Sequence, residues 1–301
     1  MWTAQNAAFF GRQLLKFAPP SSFRSKISHL NGLDVSLARH GALEVRLATT
    51  KKDIRKAQKL RFKVFFEEGS AIPDRHSALV RRDLCAFDRI CDHLLVIDHS
   101  AKSKRLGLPK AKVVGCYRLL RQEVADRHSG FYSAQEFNIA PLLARHHDKN
   151  FLELGRSCVL AEYRSKRTIE LLWQGIAAYL KHHKIDVMIG CASFPGTNLL
   201  KIAQPLSFLA AKATARGEWQ AGALPQRHVA MDILRPEAID MKKAMHALPP
   251  LIKAYLRIGA QFGEGAVIDR MFGTTDVLVV LPVDRIDPRY MSHFGLNELA
   301  A

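Results

Sequence analysis

Three consecutive stretches between residues 151 and 192 leave this chain few folds to choose from. Residues 151–160 form an apolar run of strand length, residues 166–183 place Ile169, Leu172, Trp173, Ile176 and Leu180 at helical spacing, and residues 185–192 form a second apolar strand. A strand, a helix with one apolar face and a further strand can bury their hydrophobic surfaces together only in layers. The chain therefore reads as an α/β (α+β) domain with a mixed central sheet and flanking helices.

The flanking sequence adds to that sheet on both sides. Residues 43–47 alternate like a strand, and Thr50 followed by Asp53 gives a capping-box start to a helix running to about Glu68. Loop character dominates to about Cys91, residues 93–98 and 112–122 read as strands, and Ser133 with Glu136 opens another helix that ends before the charged turn at 146–150. Beyond Pro195 come helical segments, a strand near 229–233, a helix around 242–262 and apolar strands at 267–271 and 277–281. A chain of 301 residues is long for one domain and short for two. We expect a basic N-terminal segment at 1–41, a main core at 42–196 and a C-terminal extension at 197–301 that completes the same domain.

Charge narrows the partners without choosing among them. Lys and Arg number 45 against 28 Asp and Glu, and the net +17 predicts attraction to nucleic acid, to an anionic membrane surface or to an acidic carrier protein. Cys85, Cys91, Cys116, Cys158 and Cys191 are odd in number, contain no CxxC pair and lie mostly in apolar stretches, which points to a reducing cytoplasm and away from a zinc site. The longest apolar runs, such as 277–281, fall far short of the ~20 residues that span a bilayer, so a soluble or peripheral protein is expected. Residues 1–33 contain no acid and put Trp2, Phe10, Leu14 and Phe17 on one helical face. Three readings stand for them: an amphipathic membrane-surface helix, an organellar transit peptide, or a helix packing on its own domain.

Several charged side chains interrupt apolar phases. On the helix after Thr50, Ile54, Ala57, Val64 and Phe65 share a face with Arg61 in its middle; such an arginine contacts substrate, snorkels past the helix end or pairs with Glu68. The opposite face carries Lys52, Lys56, Lys59 and Lys63, a solvated stripe or a dock for an acidic partner. Arg118 sits in phase with Val114, Cys116 and Leu120, and a buried guanidinium demands a carboxylate from the protein or a ligand. Glu153, three residues before Arg156, is the candidate; Gly155 between them is where a bulge would turn both inward, for catalysis or for a structural ion pair. The turn at 161–168 brings Arg164, Lys166 and Arg167 to a helix start, where cations oppose the dipole unless an anion binds; it is a phosphate cradle or a basic surface turn. His93 and Asp98 match the HxxxxD spacing of glycerolipid acyltransferases, but an odd offset in a strand sends them to opposite faces.

Five blocks then stand in a telling order: Leu60-Arg61-Phe62-Lys63-Val64-Phe65, Cys91-Asp92-His93-Leu94-Leu95-Val96, Val114-Gly115-Cys116-Tyr117-Arg118-Leu119-Leu120, Glu153-Leu154-Gly155-Arg156-Ser157-Cys158-Val159 and Gly190-Cys191-Ala192-Ser193-Phe194-Pro195-Gly196. Together they resemble the ornithine-acyl carrier protein N-acyltransferases, a branch of the GCN5-related N-acetyltransferase superfamily that is similar also to the acyl-homoserine lactone synthases. The resemblance implies transfer of a 3-hydroxyacyl group from acyl carrier protein to the α-amine of ornithine, with no permanently bound cofactor and no metal. It implies a splayed sheet in which the phosphopantetheine arm pairs with backbone at Cys158, Val159 and Leu160, its phosphate resting on Arg164, Lys166, Arg167 and Thr168.

The same resemblance places Arg61, Phe65, Asp88, Asp92, Arg118, Glu153 and Arg156 in the amino-acid pocket. Arg118 or Arg156 would take the ornithine α-carboxylate, Asp88 or Asp92 the δ-ammonium, and Glu153 the proton, while a backbone N–H near Val159 holds the oxyanion. The turn at 164–168 lacks both glycines of the superfamily's Gln/Arg-x-x-Gly-x-Gly/Ala loop, which favours a carrier protein with one phosphate over coenzyme A. No tyrosine follows Ala192, where many relatives place an acid, and a nucleophilic Cys158 has no histidine nearby in sequence. The expected partners are acyl carrier protein, L-ornithine and the anionic inner membrane surface, with the protein cytoplasmic or peripheral and no nucleic acid involved. A homoserine-lactone-type or other amino-acid N-acyltransferase, and a basic binding protein without catalysis, are the rival readings.

Overall fold

Apolar strands build two sheets in the computed structural model, which describes residues 33–102, 107–287 and 289–290: ten strands form the main sheet, and Phe137–Asn138 pairs with Gly222–Ala223 in a small second one. In chain order these are β1 (Ser36–His40), β2 (Leu43–Leu47), β3 (Asp92–Asp98), β4 (Lys112–Arg121), β5 (Phe137–Asn138), β6 (Phe151–Val159), β7 (Val187–Pro195), β8 (Gly222–Ala223), β9 (His228–Val229), β10 (Gln261–Phe262), β11 (Ala266–Asp269) and β12 (Thr274–Pro282). The helices are α1 (Lys51–Phe62), α2 (Arg75–Val80), α3 (Gln122–Asp126), α4 (Ala140–Arg145), α5 (Lys166–His183), α6 (Ala203–Lys212), α7 (Met241–Ala247) and α8 (Pro250–Arg257). The main sheet runs β1-β2-β3-β4-β6-β7-β12-β11-β9, with β10 pairing β12. The segment around Trp2 to Phe17 lies outside the described residues, whereas β1, within the stretch expected to precede the core, forms the sheet edge.

Every pairing in this sheet is antiparallel except β6 with β7, the two strands of the central crossover. Their parallel register covers only Phe151–Glu153 against Val187–Ile189, and the strands then part. Gly190 marks the parting: a Cβ there would stand 2.3 Å from the Leu154 carbonyl oxygen. Gly190→Ala should therefore cost about 1–3 kcal/mol through overpacking. Urea denaturation measures this, and an unchanged midpoint would show that the backbone relaxes freely.

Helices cover both faces. Leu94 of β3 meets α5 at Gly175, which assigns α5 to one face. His93 points the other way and its Nε2 donates to the Asp88 carbonyl (3.1 Å), on the face carrying α1. Because Tyr117 pairs with Leu94 and Arg118 with His93, those neighbours also look to opposite faces.

Three elements differ from their sequence reading. Ser133 does not cap a helix: its N–H and hydroxyl both go to Glu153, leaving a 3₁₀ turn at Tyr132–Gln135, the short β5, and only then α4. The helix expected at 242–262 breaks into α7 and α8, since Pro249 and Pro250 lack the N–H groups that would continue it. The helix after Thr50 is capped as expected, Asp53 N–H donating to Thr50 Oγ1 (3.1 Å), but beyond Phe62 it widens into a π-helical turn at Lys63–Glu67. Such turns gather at functional sites. Among the described residues, no helix is long and apolar enough to cross a membrane.

Candidate active site

The gap between β6 and β7 opens into a cavity of about 350 Å³. Its walls include Phe65 from the π-turn, Tyr117 and Arg118 from β4, Tyr132 and Ser133, Glu153 to Ser157 from β6, Cys191 to Ser193 from β7, Tyr255 from α8, and Asp269, Phe272 and Asp276. It passes through the sheet: Tyr117 and Tyr255 lie on the α5 side, where Tyr255 packs edge-on to Trp173, and Arg118 lies on the other.

A bulge in β6 does turn Glu153 and Arg156 to one cavity, but it centres on Arg156 rather than Gly155. Cys116 pairs with Cys158 and Arg118 with Gly155, so one partner residue spans two in β6, and Arg156 adopts φ 52°. A left-handed arginine costs about 1–2 kcal/mol, a strain typical of functional positions. Its guanidinium lies 4.9 Å from the Tyr132 ring and 4.6 Å from the Phe272 ring, and its Nε has no hydrogen-bond partner. The nearest carboxylate is Asp83, 3.4 Å away.

Glu153 is not the ion-pair partner of either arginine. Its carboxylate accepts the N–H groups of Tyr132 (2.8 Å) and Ser133 (2.6 Å) and the Ser133 hydroxyl (2.5 Å). Burial pushes its pKa above the usual carboxylate range, against the pull of those three donors. Arg118 instead donates to Cys85 Sγ (3.0 Å), approaches Asp88 at 3.6 Å and lies over the rings of Phe87 and Tyr132.

Arg61, Asp88 and Asp92 do not reach the cavity wall. Arg61 is fully buried and holds Asp83 (2.7 Å) and Asp88 (2.6 Å), not Glu68, so neither snorkelling nor substrate contact describes it. Asp88 also accepts from Gln58 (2.9 Å); burial raises its pKa, but Arg61, His93 and Arg118 outweigh that and hold it well below the usual range. Asp92 accepts from Tyr179 (2.6 Å) and stands near Arg121, away from the gap. Asp88 Oδ1 keeps no hydrogen-bond partner, but neither aspartate lines the cavity.

The backbone at 158–160 sorts itself by strand alternation. Leu160 donates to the Val114 carbonyl (2.9 Å) and its own carbonyl receives Tyr163 N–H (2.9 Å), so both groups expected to pair with pantetheine are engaged. Cys158, in phase with Leu160, faces its partner Cys116. Val159, out of phase with both, turns its N–H away from β4 toward the β7 side, just beyond the cavity's lining residues, while its carbonyl accepts from Arg164 Nε (3.0 Å). The Cys158 thiol, beside Cys116 Sγ at 3.6 Å, is pushed well up by burial and by that neighbour, which disfavours the thiolate a nucleophile needs, and it does not line the cavity. At the head of α5, Arg164, Lys166 and Arg167 are exposed outside the cavity, and Thr168 is buried with its N–H on the Ser165 cap (3.3 Å).

Three carboxylates unremarked in the sequence complete the site. Oxygens of Glu136, Asp269 and Asp276 lie within 4.8 Å of one another, all three residues buried, and Asp269 and Asp276 face the cavity. Burial and mutual repulsion raise Glu136 to about 7 and Asp276 to about 6. Arg227 approaches Glu136 at 3.5 Å. Among the described residues these carboxylates are also the group spaced to hold a metal. A signal existed for one: Asp269 is in phase with Val267 and Met271, an acid breaking an apolar alternation. Asp276 sat one residue outside the strand as read, and Glu136 was taken for a capping residue.

A mixed sheet whose one parallel pair splays beside a backbone N–H defines an acyltransferase of the GCN5-related class, and the acetyltransferase (GNAT) domain family matches residues 60–174. The chain is 54% identical over 257 residues to the L-ornithine N(alpha)-acyltransferase of Agrobacterium fabrum (strain C58 / ATCC 33970), covering 85% of this chain and 86% of that one. It is 52% identical over 261 residues to the L-ornithine N(alpha)-acyltransferase of Rhizobium meliloti (strain 1021), covering 87% of each. The chain belongs to the L-ornithine N(alpha)-acyltransferase family. Among solved structures, FeeM, an N-acyl amino acid synthase from uncultured soil microbes, is similar at a TM-score of 0.45 and 9% identity, covering 83% of this chain and 94% of that one.

Proposed function

We propose that this enzyme transfers a 3-hydroxyacyl group from acyl carrier protein to the α-amine of L-ornithine, giving lyso-ornithine lipid. The observation that carries the reading is one cavity with guanidinium on one wall and the carboxylates of Asp269 and Asp276, backed by Glu136, on another, which suits an amino acid with a cationic tail. Arg156, whose guanidinium lines the cavity in the same wall as Arg118, takes the α-carboxylate. Glu136, Asp269 and Asp276 take the δ-ammonium, in place of the Asp88 or Asp92 expected from sequence.

Glu153 draws the proton from the α-ammonium, through the oxygen that accepts only the Tyr132 N–H. The neutral amine attacks the thioester carbonyl, the Val159 N–H steadies the oxyanion, and collapse breaks the C–S bond as the amide C–N bond is completed. The thiolate of the phosphopantetheine arm leaves, and the second proton of the amine, shed by the nitrogen as the amide forms, passes through solvent to the thiolate. The exposed Arg164, Lys166 and Arg167 attract the donor's phosphate, and Lys52, Lys59 and Lys63, exposed on α1 and its π-turn, serve the acidic carrier and an anionic inner membrane surface at which a cytoplasmic enzyme delivers its product.

The test is acylation of L-ornithine against L-norvaline, which lacks the δ-ammonium, by purified enzyme with 3-hydroxyacyl carrier protein. Ornithine should be preferred by roughly 100-fold or more in kcat/KM, since the neutral analogue leaves this buried acidic wall without the ammonium that balances it. Its KM should rise as pH falls below about 7, where Glu136 and then Asp276 at about 6 gain protons. The empty enzyme should behave oppositely in stability: raised folded pKa values mean the native state binds more protons, so stability falls as pH rises toward about 7. Equal use of the two amino acids would overturn the acidic-wall assignment. Full activity in a chelator separates it from a metal held by the same carboxylates.

A further inference from the structure

On the α5 side of the gap, the cavity wall is apolar except for one chain of hydroxyls. Tyr117 Oη and Tyr255 Oη stand 3.4 Å apart, with Ser157 beside Tyr117, and all three residues line the cavity among Leu154, Ala192 and Leu251. The phenols are nearly closed off from solvent, Tyr117 at 4% exposure and Tyr255 at 5%. Buried phenol O–H groups normally find partners at about 2.7–2.8 Å, so 3.4 Å leaves slack between these two.

Proton counting shows what is missing. Three hydroxyls supply three donor protons, and two contacts along the chain use two of them. Among the described residues neither phenol meets a further polar partner, so when the donors run from Ser157 through Tyr117 to Tyr255 the Tyr255 proton is left for an acceptor in the cavity. Unused oxygen lone pairs also remain on the phenols. A group that both donates and accepts satisfies the set, and an alcohol does so where a methylene cannot.

We propose that Tyr255 and Tyr117 select acyl donors carrying a hydroxyl close to the thioester, by hydrogen-bonding that hydroxyl in an otherwise apolar chain site. The assignment rests on the transfer reaction proposed above and adds the residues that read the donor. Apolar neighbours hold the hydrocarbon, and the phenols meet the one polar atom on it. The position is specificity-determining: neither phenol exchanges a proton with the reacting amine.

The experiment compares kcat/KM for carrier protein loaded with a 3-hydroxyacyl chain and with the unsubstituted chain of equal length, using ornithine as acceptor. Wild type should favour the hydroxylated donor by roughly 10- to 100-fold, and Tyr255→Phe should bring that ratio to within about 3-fold of unity. Tyr117→Phe should act in the same direction, and it carries the comparison alone if Tyr255→Phe fails to melt cooperatively. A ratio that stays at its wild-type value in the folded variants, as a packing or proton-donor role would give, overturns the proposal. So does a wild-type ratio near one. If wild type acylates ornithine from neither donor, the transfer reading itself fails and this assignment falls with it.

Discussion

Glu153→Gln is expected to lower turnover by about 10²–10⁴-fold, the usual contribution of a positioned base. The amide keeps the volume but cannot take the amine proton. It also places an NH₂ where the carboxylate now accepts from Tyr132, Ser133 N–H and the Ser133 hydroxyl. One donor is left unsatisfied, so a stability loss of about 1–3 kcal/mol should accompany the lost rate. Single-turnover kinetics and a thermal melt separate the two effects, and wild-type turnover in a folded variant would remove Glu153 from the mechanism. Ser133→Ala supplies an independent check on the same carboxylate. Burial raises Glu153 and the Ser133 hydroxyl lowers it, so deleting the hydroxyl should move the acidic limb of the pH–rate profile to higher pH.

Arg61→Met should destabilise the protein by about 3–5 kcal/mol, because removing one member of a buried ion cluster leaves the others charged and unpaired. Arg61 is fully buried and bonds both Asp83 and Asp88, whose other neighbours are Arg156 at 3.4 Å and Arg118 at 3.6 Å. The cluster thus steadies the two guanidiniums that reach the cavity. A raised KM for ornithine should therefore accompany the lowered denaturation midpoint, with a smaller change in kcat. A loss below about 1 kcal/mol would mean that Asp83 and Asp88 find other partners or protonate without cost.

These two residues show how far a linear reading reaches. That Arg61 must be paired follows from its place in the apolar phase of a helix. That its partners are Asp83 and Asp88, 22 and 27 positions away, depends on how the loop before β3 folds back over α1. Glu153 was legible as a carboxylate beside Arg156, yet its hydrogen bonds come from Tyr132 and Ser133, and local spacing suggested a helix cap there instead. The tertiary acceptor won because a buried carboxylate needs several donors, and the turn at Tyr132–Gln135 supplies three on adjacent groups.

What the sequence determined by itself is the class of domain, the crossover 151–192 and the family likeness, because each rests on periodicity or on residue order along one segment. It also marked Phe65, Arg118, Glu153 and Arg156, four residues that do line one cavity. Only the tertiary structure decided that Asp88 and Asp92 are engaged elsewhere and that Glu136, Asp269 and Asp276 converge from distant segments within 4.8 Å. The same holds for Tyr255, carried by a helix that the two prolines set apart. The physical reason is common to all of these. Burial and strand phase are properties of a residue and its near neighbours, whereas the pairing of charges and hydroxyls depends on which segments the sheet brings into contact.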